Sequence, residues 1–321
     1  MSILKKNNLT INNKYRILED EIKGSGAYGS VYLTEDLTNN KYFATKIINK
    51  YNPNFEKEIS ILKKVSQINN PYIVNLIDFG EEFLDFKKNP GNKQYAILEY
   101  ASRGELFDFI KKTEIGLKEK YAKFLFRKIL KGVQAIHNLG ICHRDLKLQN
   151  ILLDEYFNPK ICDFGFATEI EGKNKSGKLT KFLGSKNYAA PEMSLNKPYN
   201  GIKADIFSLG VILFNLATGK NGFIEANIND PYYKYIINRH YSIYWKIVQE
   251  IIGEIPDEIK TLYIKMVNFN EEKRPTIEEI LNDSWMKEIN DLNEMEYKAL
   301  EQEVYQEFKK ACCKYNNDEN K

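Results

Sequence analysis

The chain has 321 residues, 43% of them apolar and 28% charged, with a formal net charge of +3. A chain of this length can bury a large core in one domain or two, and so small a net charge gives no electrostatic case for a nucleic-acid or membrane partner. The opening MSILKKNNLT carries no long apolar run, nowhere do about 18 uninterrupted apolar residues suggest a membrane span, and four cysteines are too few for a disulfide framework, so an intracellular protein is expected.

In chain order, residues 1–14 are polar and rich in Asn and Lys, which predicts a disordered lead-in. From Tyr15 to about Ile48 the pattern is strand-like, "KYRILEDEI", "SVYLTEDL" and "YFATKII" being separated by a glycine-rich turn and a polar turn. Residues 55–67 place Phe55, Ile59, Leu62 and Val65 on one face of a helix. Two further strands, "YIVNLIDFGEEF" and "QYAILEY", flank a Pro/Gly/Asn-rich loop at 87–93. After Ser102 long helical segments take over, among them 118–138 and 203–217, so a small sheet-rich lobe should be followed by a larger helical one, with a ligand cleft between them.

Chemistry enters first at "GSGAYGSV", where Gly24, Gly26 and Gly29 would let backbone N–H groups approach phosphate oxygens and Val31 could roof a flat base. A strand rather than a helix follows, which argues against a dinucleotide fold. Lys46 lies inside an apolar strand and needs a carboxylate partner. Glu56 and Glu58 both compete for that place, and Glu58 fits the helix face better. "HRDLKLQN" at 143–150 and "DFG" at 163–165 then concentrate charge: Asp145 can accept a hydroxyl proton, Lys147 can neutralise phosphate charge, and Asn150 and Asp163 offer hard oxygen ligands for Mg²⁺. Positioning and charge neutralisation of this kind are what phosphoryl transfer requires.

These stretches, together with "AAPE" at 189–192, "DIFSLG" at 205–210 and "KRPT" at 273–276, occur in the order and spacing of one family. Over residues 15 to about 286 the chain resembles a eukaryotic serine/threonine protein kinase, and "SRGELFDFI" at 102–110 is most similar to the calcium/calmodulin-dependent group, without calcium-binding hands. The resemblance implies an α+β, two-lobed protein kinase fold: a small antiparallel-sheet N-lobe with one helix at 15–101, a larger and mainly helical C-lobe at 102–286, and a C-terminal extension at 287–321. It implies ATP and Mg²⁺ as cofactors and protein substrates as partners. Lys46 would hold the α/β phosphates and pair with Glu58, Asp145 would be the base beside Lys147, and Asn150 and Asp163 would bind the metal. Gly24, Ser25, Gly26, Gly29, Val31, Ala44, Lys46, Glu99, Ala101 and Leu152 would form the nucleotide site, Glu99 and Ala101 through the hinge. Glu192 would pair with Arg274, Asp205 would steady the catalytic loop, and His143 would stack in an internal column with Phe164, Leu62 and Leu76 rather than move a proton. A cytoplasmic or nuclear protein is expected.

Some positions depart from the pattern. Lys23 stands where an apolar residue is usual, and Lys181 where kinases with an Arg144-type residue carry a phosphothreonine, which leaves Thr180 and Ser176 as candidate acceptors. Glu105 matches a reader of one upstream basic residue in a substrate, whereas Gln149 and Asn215 replace the acids that read a second. In the extension, Leu292, Met295, Leu300, Val304, Phe308 and Ala311 recur at helical spacing, which predicts an amphipathic helix docked on the large lobe, with an autoinhibitory or dimerising segment as the alternatives.

Overall fold

The computed structural model describes residues 9–26, 29–48, 52–86, 89–113, 115–170, 177–195 and 198–318. Two compact units divide between Ser102 and Arg103.

The first unit is built on strands β1 (Thr10–Ile11), β2 (Tyr15–Gly26), β3 (Gly29–Asp36), β4 (Tyr42–Ile48), β5 (Leu76–Leu84) and β6 (Gly91–Glu99), with helix α1 (Pro53–Ser66) between β4 and β5. All neighbours pair antiparallel in the order β1-β2-β3-β4-β6-β5. Helix α1 starts where Asn52 Oδ1 accepts a hydrogen bond from Asn54 N and Pro53 supplies a preset φ. Its buried face is Phe55, Ile59, Leu62 and Val65, as the spacing predicts. Residues 9–14 correct the expectation of a disordered lead-in. Thr10 and Ile11 pair with Arg16 and Tyr15 around a turn in which Asn12 and Asn13 both take positive φ, a conformation Asn tolerates better than most residues. Leu9 and Ile11, alternating among polar neighbours, enter the sheet core with Tyr15, Ile17, Ile47, Tyr95 and Ile97. Residues 1–8 lie outside the described residues.

The second unit holds helices α2 (Leu106–Thr113), α3 (Glu119–Asn138), α4 (Gly201–Thr218), α5 (Tyr233–Ile237), α6 (Tyr241–Ile252), α7 (Asp257–Met266), α8 (Ile277–Leu281), α9 (Lys287–Asn290) and α10 (Glu294–Asp318). Short strands β7 (Ile141–Cys142), β8 (Ile151–Leu153), β9 (Pro159–Ile161), β10 (Thr168–Glu169), β11 (Lys178–Leu179) and β12 (Tyr199–Asn200) form three two-stranded pairs, β7 with β10, β8 with β9 and β11 with β12. Helix α4 is long and apolar enough to cross a membrane by composition, yet 83% of that window is buried inside the protein. It is the core helix of this unit, started by Asn200 Oδ1 accepting from Ile202 N and Lys203 N and ended by Gly219 at φ 69°.

Helix α10 lies against α3. Phe308 packs 4.4 Å from Phe109 and 6.1 Å from Tyr121, and Tyr297 packs 5.3 Å from Phe124, as ring-centroid distances. Glu303 pairs with Lys120 and accepts from Tyr121 Oη at 2.9 Å. Met295 does not belong to the docked face, being 77% exposed; the packed face runs Tyr297, Leu300, Glu301, Val304, Phe308 and Ala311. A polarity pattern cannot find Glu301, because what brings it inward is a buried lysine on another helix.

Candidate active site

In the first unit the strand register gathers the predicted nucleotide residues. Gly24 stands opposite Val31, Val31 opposite Lys46, and Lys46 opposite Ala96. Directly opposed residues in an antiparallel pair share a face, so Gly24, Val31, Ala44 and Lys46 lie on the same side of the sheet. Lys46 Nζ donates to Glu58 Oε1 at 2.6 Å, and Glu58 is buried while Glu56 is exposed, which decides between the two candidate carboxylates. A Cβ on Gly24 would meet nothing within 4 Å, whereas one on Gly29 would overlap the Ile47 carbonyl. Gly24 therefore borders open space, and Gly29 is required by the close approach of β3 to β4. Ala27 and Tyr28 of the same run lie outside the described residues. Lys23, the departure at the end of this strand, is held by Glu21 at 2.8 Å. Glu99 Oε2 accepts from Asn75 N and Nδ2, both at 3.2 Å, and Glu99 N donates to Asn75 O at 2.9 Å, so a base would meet Glu99 at its backbone carbonyl, as an acceptor. Ala101 is buried just beyond it.

In the second unit Asp205 organises the loop that follows β7. Fully buried, its carboxylate accepts from His143 N and Arg144 N, both at 2.8 Å, and faces His137 Nε2 at 2.9 Å. Two backbone N–H groups donating to this one carboxylate hold Arg144 at φ 65°, a left-handed conformation that an L-residue keeps only when its surroundings enforce it. His143 Nε2 meets Cys162 O at 3.0 Å and its Nδ1 accepts from Asp145 N at 3.3 Å, which leaves this imidazole no nitrogen for proton transfer. Its ring lies 5.2 Å from that of buried Phe164.

Asp145 is the centre of the cluster. Its Oδ1 accepts from Ser185 N at 2.9 Å, and its Oδ2 accepts from Lys147 Nζ at 2.8 Å and Asn150 Nδ2 at 2.9 Å. Lys147 Nζ also donates to Ser185 Oγ at 2.9 Å. Since Asn150 Nδ2 donates in addition to Asp145 O at 2.8 Å, the amide nitrogen is fully turned inward and Oδ1 is the end left for a cation. The β8–β9 hairpin joins Asn150 to the exposed Asp163, and Cys162 N donates to Asn150 O at 3.0 Å across its open end. Among the described residues no group of three or more His, Cys, Asp or Glu side chains could hold a metal alone. An amide oxygen and a carboxylate with room for phosphate and water oxygens suit Mg²⁺, which keeps several waters and takes ligands from the substrate. Leu152, on β8, is half-buried and bridges to Glu105.

Pattern reasoning missed two features. Asp108 shares its surroundings with Glu105: burial, then the charge of Asp108, push the Glu105 carboxyl up, and the Lys147 ammonium opposes them. The available signal was the three-residue interval from Glu105, just before α2, to Asp108 in its first turn. Tyr199 was also overlooked, and no local signal marks it, because its partners are distant in sequence. Its hydroxyl donates to Lys181 O at 3.0 Å beside the β11–β12 pair, where Glu271 accepts from Lys178 Nζ and Asn200 N, both at 3.1 Å. Thr180 is exposed on this segment, Arg144 Nε is committed to Phe166 O at 2.7 Å, and Ser176 lies outside the described residues.

The protein kinase domain family matches residues 18–286 of the chain. The chain belongs to that family. Its members use ATP with Mg²⁺ as phosphoryl donor and cofactor. Among curated proteins the chain is 33% identical over 282 residues to CBL-interacting serine/threonine-protein kinase 13 of Arabidopsis thaliana, a match covering 86% of the chain and 51% of that protein. Kinase 20 of the same series and organism is 32% identical over 287 residues, covering 87% of the chain and 60% of the relative, and kinase 19 is 34% identical over 271 residues, covering 82% and 52%. The chain thus spans between half and three-fifths of the length of these relatives. Glu192 and Arg274 form the expected pair: Arg274 Nη1 and Nη2 donate to the two carboxylate oxygens at 2.6 and 2.7 Å, and the guanidinium is fully buried.

Proposed function

We propose that this chain transfers the γ-phosphoryl group of Mg·ATP to Ser and Thr hydroxyls of protein substrates. The observation that carries the reading is Asp145: three donors fix its carboxylate, one of them the Lys147 ammonium that also reaches Ser185. In this role Asp145 takes the proton of the attacking hydroxyl and Lys147 neutralises charge on the phosphoryl oxygens. Asn150 and Asp163 would hold Mg²⁺, which when bound offsets the phosphate charge. Lys46, held by Glu58, takes the α/β phosphates. Gly24, Ser25, Gly26 and Gly29 would hold the phosphates, and Val31, Ala44, Glu99, Ala101 and Leu152 would receive the adenine. Incubation of the purified chain with labelled ATP, Mg²⁺ and a mixed Ser/Thr/Tyr peptide library tests the proposal, and label appearing only on Tyr, or on no peptide, would overturn it.

Lys46→Met should lower kcat/KM for ATP by about 10²-fold, because a charge aimed at the phosphates is lost. Steady-state ATP titrations check this, and an unchanged kcat/KM removes Lys46 from the phosphate site.

Substrates should carry one upstream basic residue. Glu105 and Asp108 supply the negative charge, while Asn215 is buried and committed to Tyr188 Oη at 3.1 Å and to Lys220 O at 2.6 Å. Gln149 is neutral, and its Oε1 meets no donor among the described residues. The likeness to the calcium/calmodulin-dependent group rests on residues 102–110 alone, since the similar relatives bear the CBL-interacting name.

Thr180 is open to modification, and Arg144 is the cation that would receive a phosphate. The β11–β12 pair, Tyr199 and Glu271 hold the neighbouring chain without one. Thr180→Ala should therefore keep phosphotransfer within about threefold of the parent, as an exposed substitution does. A loss of tenfold or more in the peptide assay would make phospho-Thr180 the ordering device instead.

A further inference from the structure

Lys128, in the middle of α3, is a fully buried lysine that the nucleotide and metal sites do not use. Its Nζ donates to Asn158 Oδ1 at 2.5 Å and to Glu301 Oε1 of α10 at 2.6 Å. Burial pulls its pKa down, and the charges of Glu301 and Asp154 resist that shift. A buried ammonium is unfavourable unless well paired, so both partners are needed to keep it in place.

Asn158 sits at the closed end of the β8–β9 hairpin. Its backbone N and Nδ2 donate to the two carboxylate oxygens of Asp154 at 2.8 and 3.0 Å, and Asp154 N donates back to Asn158 O at 3.0 Å. Phe157, in the same turn, takes φ 63° and is buried against α10, its ring 5.7 Å from Phe308 and 5.9 Å from Tyr305. The open end of the hairpin carries Asn150 and Asp163. Helix α10 thus grips the turn twice, once through Lys128 and once through aromatic rings, and the gripped element is the one that spaces the two proposed metal ligands.

We infer that α10 is a working part of the catalytic unit, with Lys128 as a positioning residue that transmits its docking to Asn150 and Asp163 through the β8–β9 hairpin. The inference rests on the kinase reading above. Any protein or peptide that peels α10 from α3 would then loosen the metal site and lower activity, so the extension activates rather than inhibits.

The test uses the full chain carrying Lys128→Met, which keeps an unbranched side chain of similar length without its charge, and separately Glu301→Gln, a half-exposed position where folding is tolerant. The Mg²⁺ midpoint, read both from phosphotransfer at saturating ATP and from binding of a non-hydrolysable ATP analogue, should rise several-fold in Lys128→Met and by a smaller factor in Glu301→Gln, less than the roughly 10–100-fold that follows loss of a ligand's direct partner, because Lys128 acts through the hairpin. A purely stabilising role for α10 would lower the melting temperature and leave that Mg²⁺ midpoint where it was. Midpoints within twofold of the parent in Glu301→Gln and in whatever folded Lys128→Met is obtained overturn the inference. An inactive parent chain would instead defeat the kinase reading, so the two failures are separable.

Discussion

Asp145→Asn should lower kcat for peptide phosphorylation by about 10²–10⁴-fold while ATP still binds, the range expected when a positioned general base is lost. The reason is local. The carboxylate proposed to take the proton has no substitute among the described residues in contact with it, since both nitrogens of His143 are committed and Lys147 is a donor only. The amide also turns a donor toward groups that already donate, either Ser185 N on one side or Lys147 and Asn150 on the other. A thermal melt in parallel separates lost chemistry from lost fold. If the variant keeps more than a tenth of the parental kcat, Asp145 is not the base, and the cluster around Ser185 has another use.

Arg274→Ala should destabilise the second unit by about 3–5 kcal/mol, the usual consequence of removing one member of a buried ion pair. Arg274 makes two bonds to Glu192, donates through Nε to Asn268 O at 2.8 Å and through Nη1 to Lys203 O at 2.9 Å, and all of these acceptors would lose their donor together. For a unit of this size the loss corresponds to a fall in melting temperature on the order of 10 °C. Arg274→Lys should recover only part of it, because an ammonium cannot make the parallel two-bond contact. A melting temperature within about 2 °C of the parent for Arg274→Ala would show that the pair adds little beyond hydrophobic packing, as replacement of some buried pairs does.

Both predictions concern residues whose type and spacing are visible in the chain. The sequence by itself determined the order from β2 to β6 with α1 between β4 and β5, the face of α1, and which side chains have the chemistry to meet a phosphate, because strand alternation, helical period and tight loop spacing are short-range properties. Asp145, Lys147 and Asn150, which meet in the cluster, fall within one eight-residue stretch, which is why they could be found at all. The choice between Glu58 and Glu56 needed only the helix period, and burial of Glu58 against Lys46 agrees with it. Tertiary structure decided everything that depends on partners far away along the chain. Leu9 and Ile11 become core residues only once β1 has a strand to pair with. Tyr199 acquires its role from Lys181 O, and Met295, apolar and in phase, still points to solvent because the packed face of α10 is set by what α3 presents to it. Glu301 shows the limit most clearly. A carboxylate on an acidic helix reads as a solvated surface group until a lysine buried 173 residues away in sequence supplies the reason for it to turn inward.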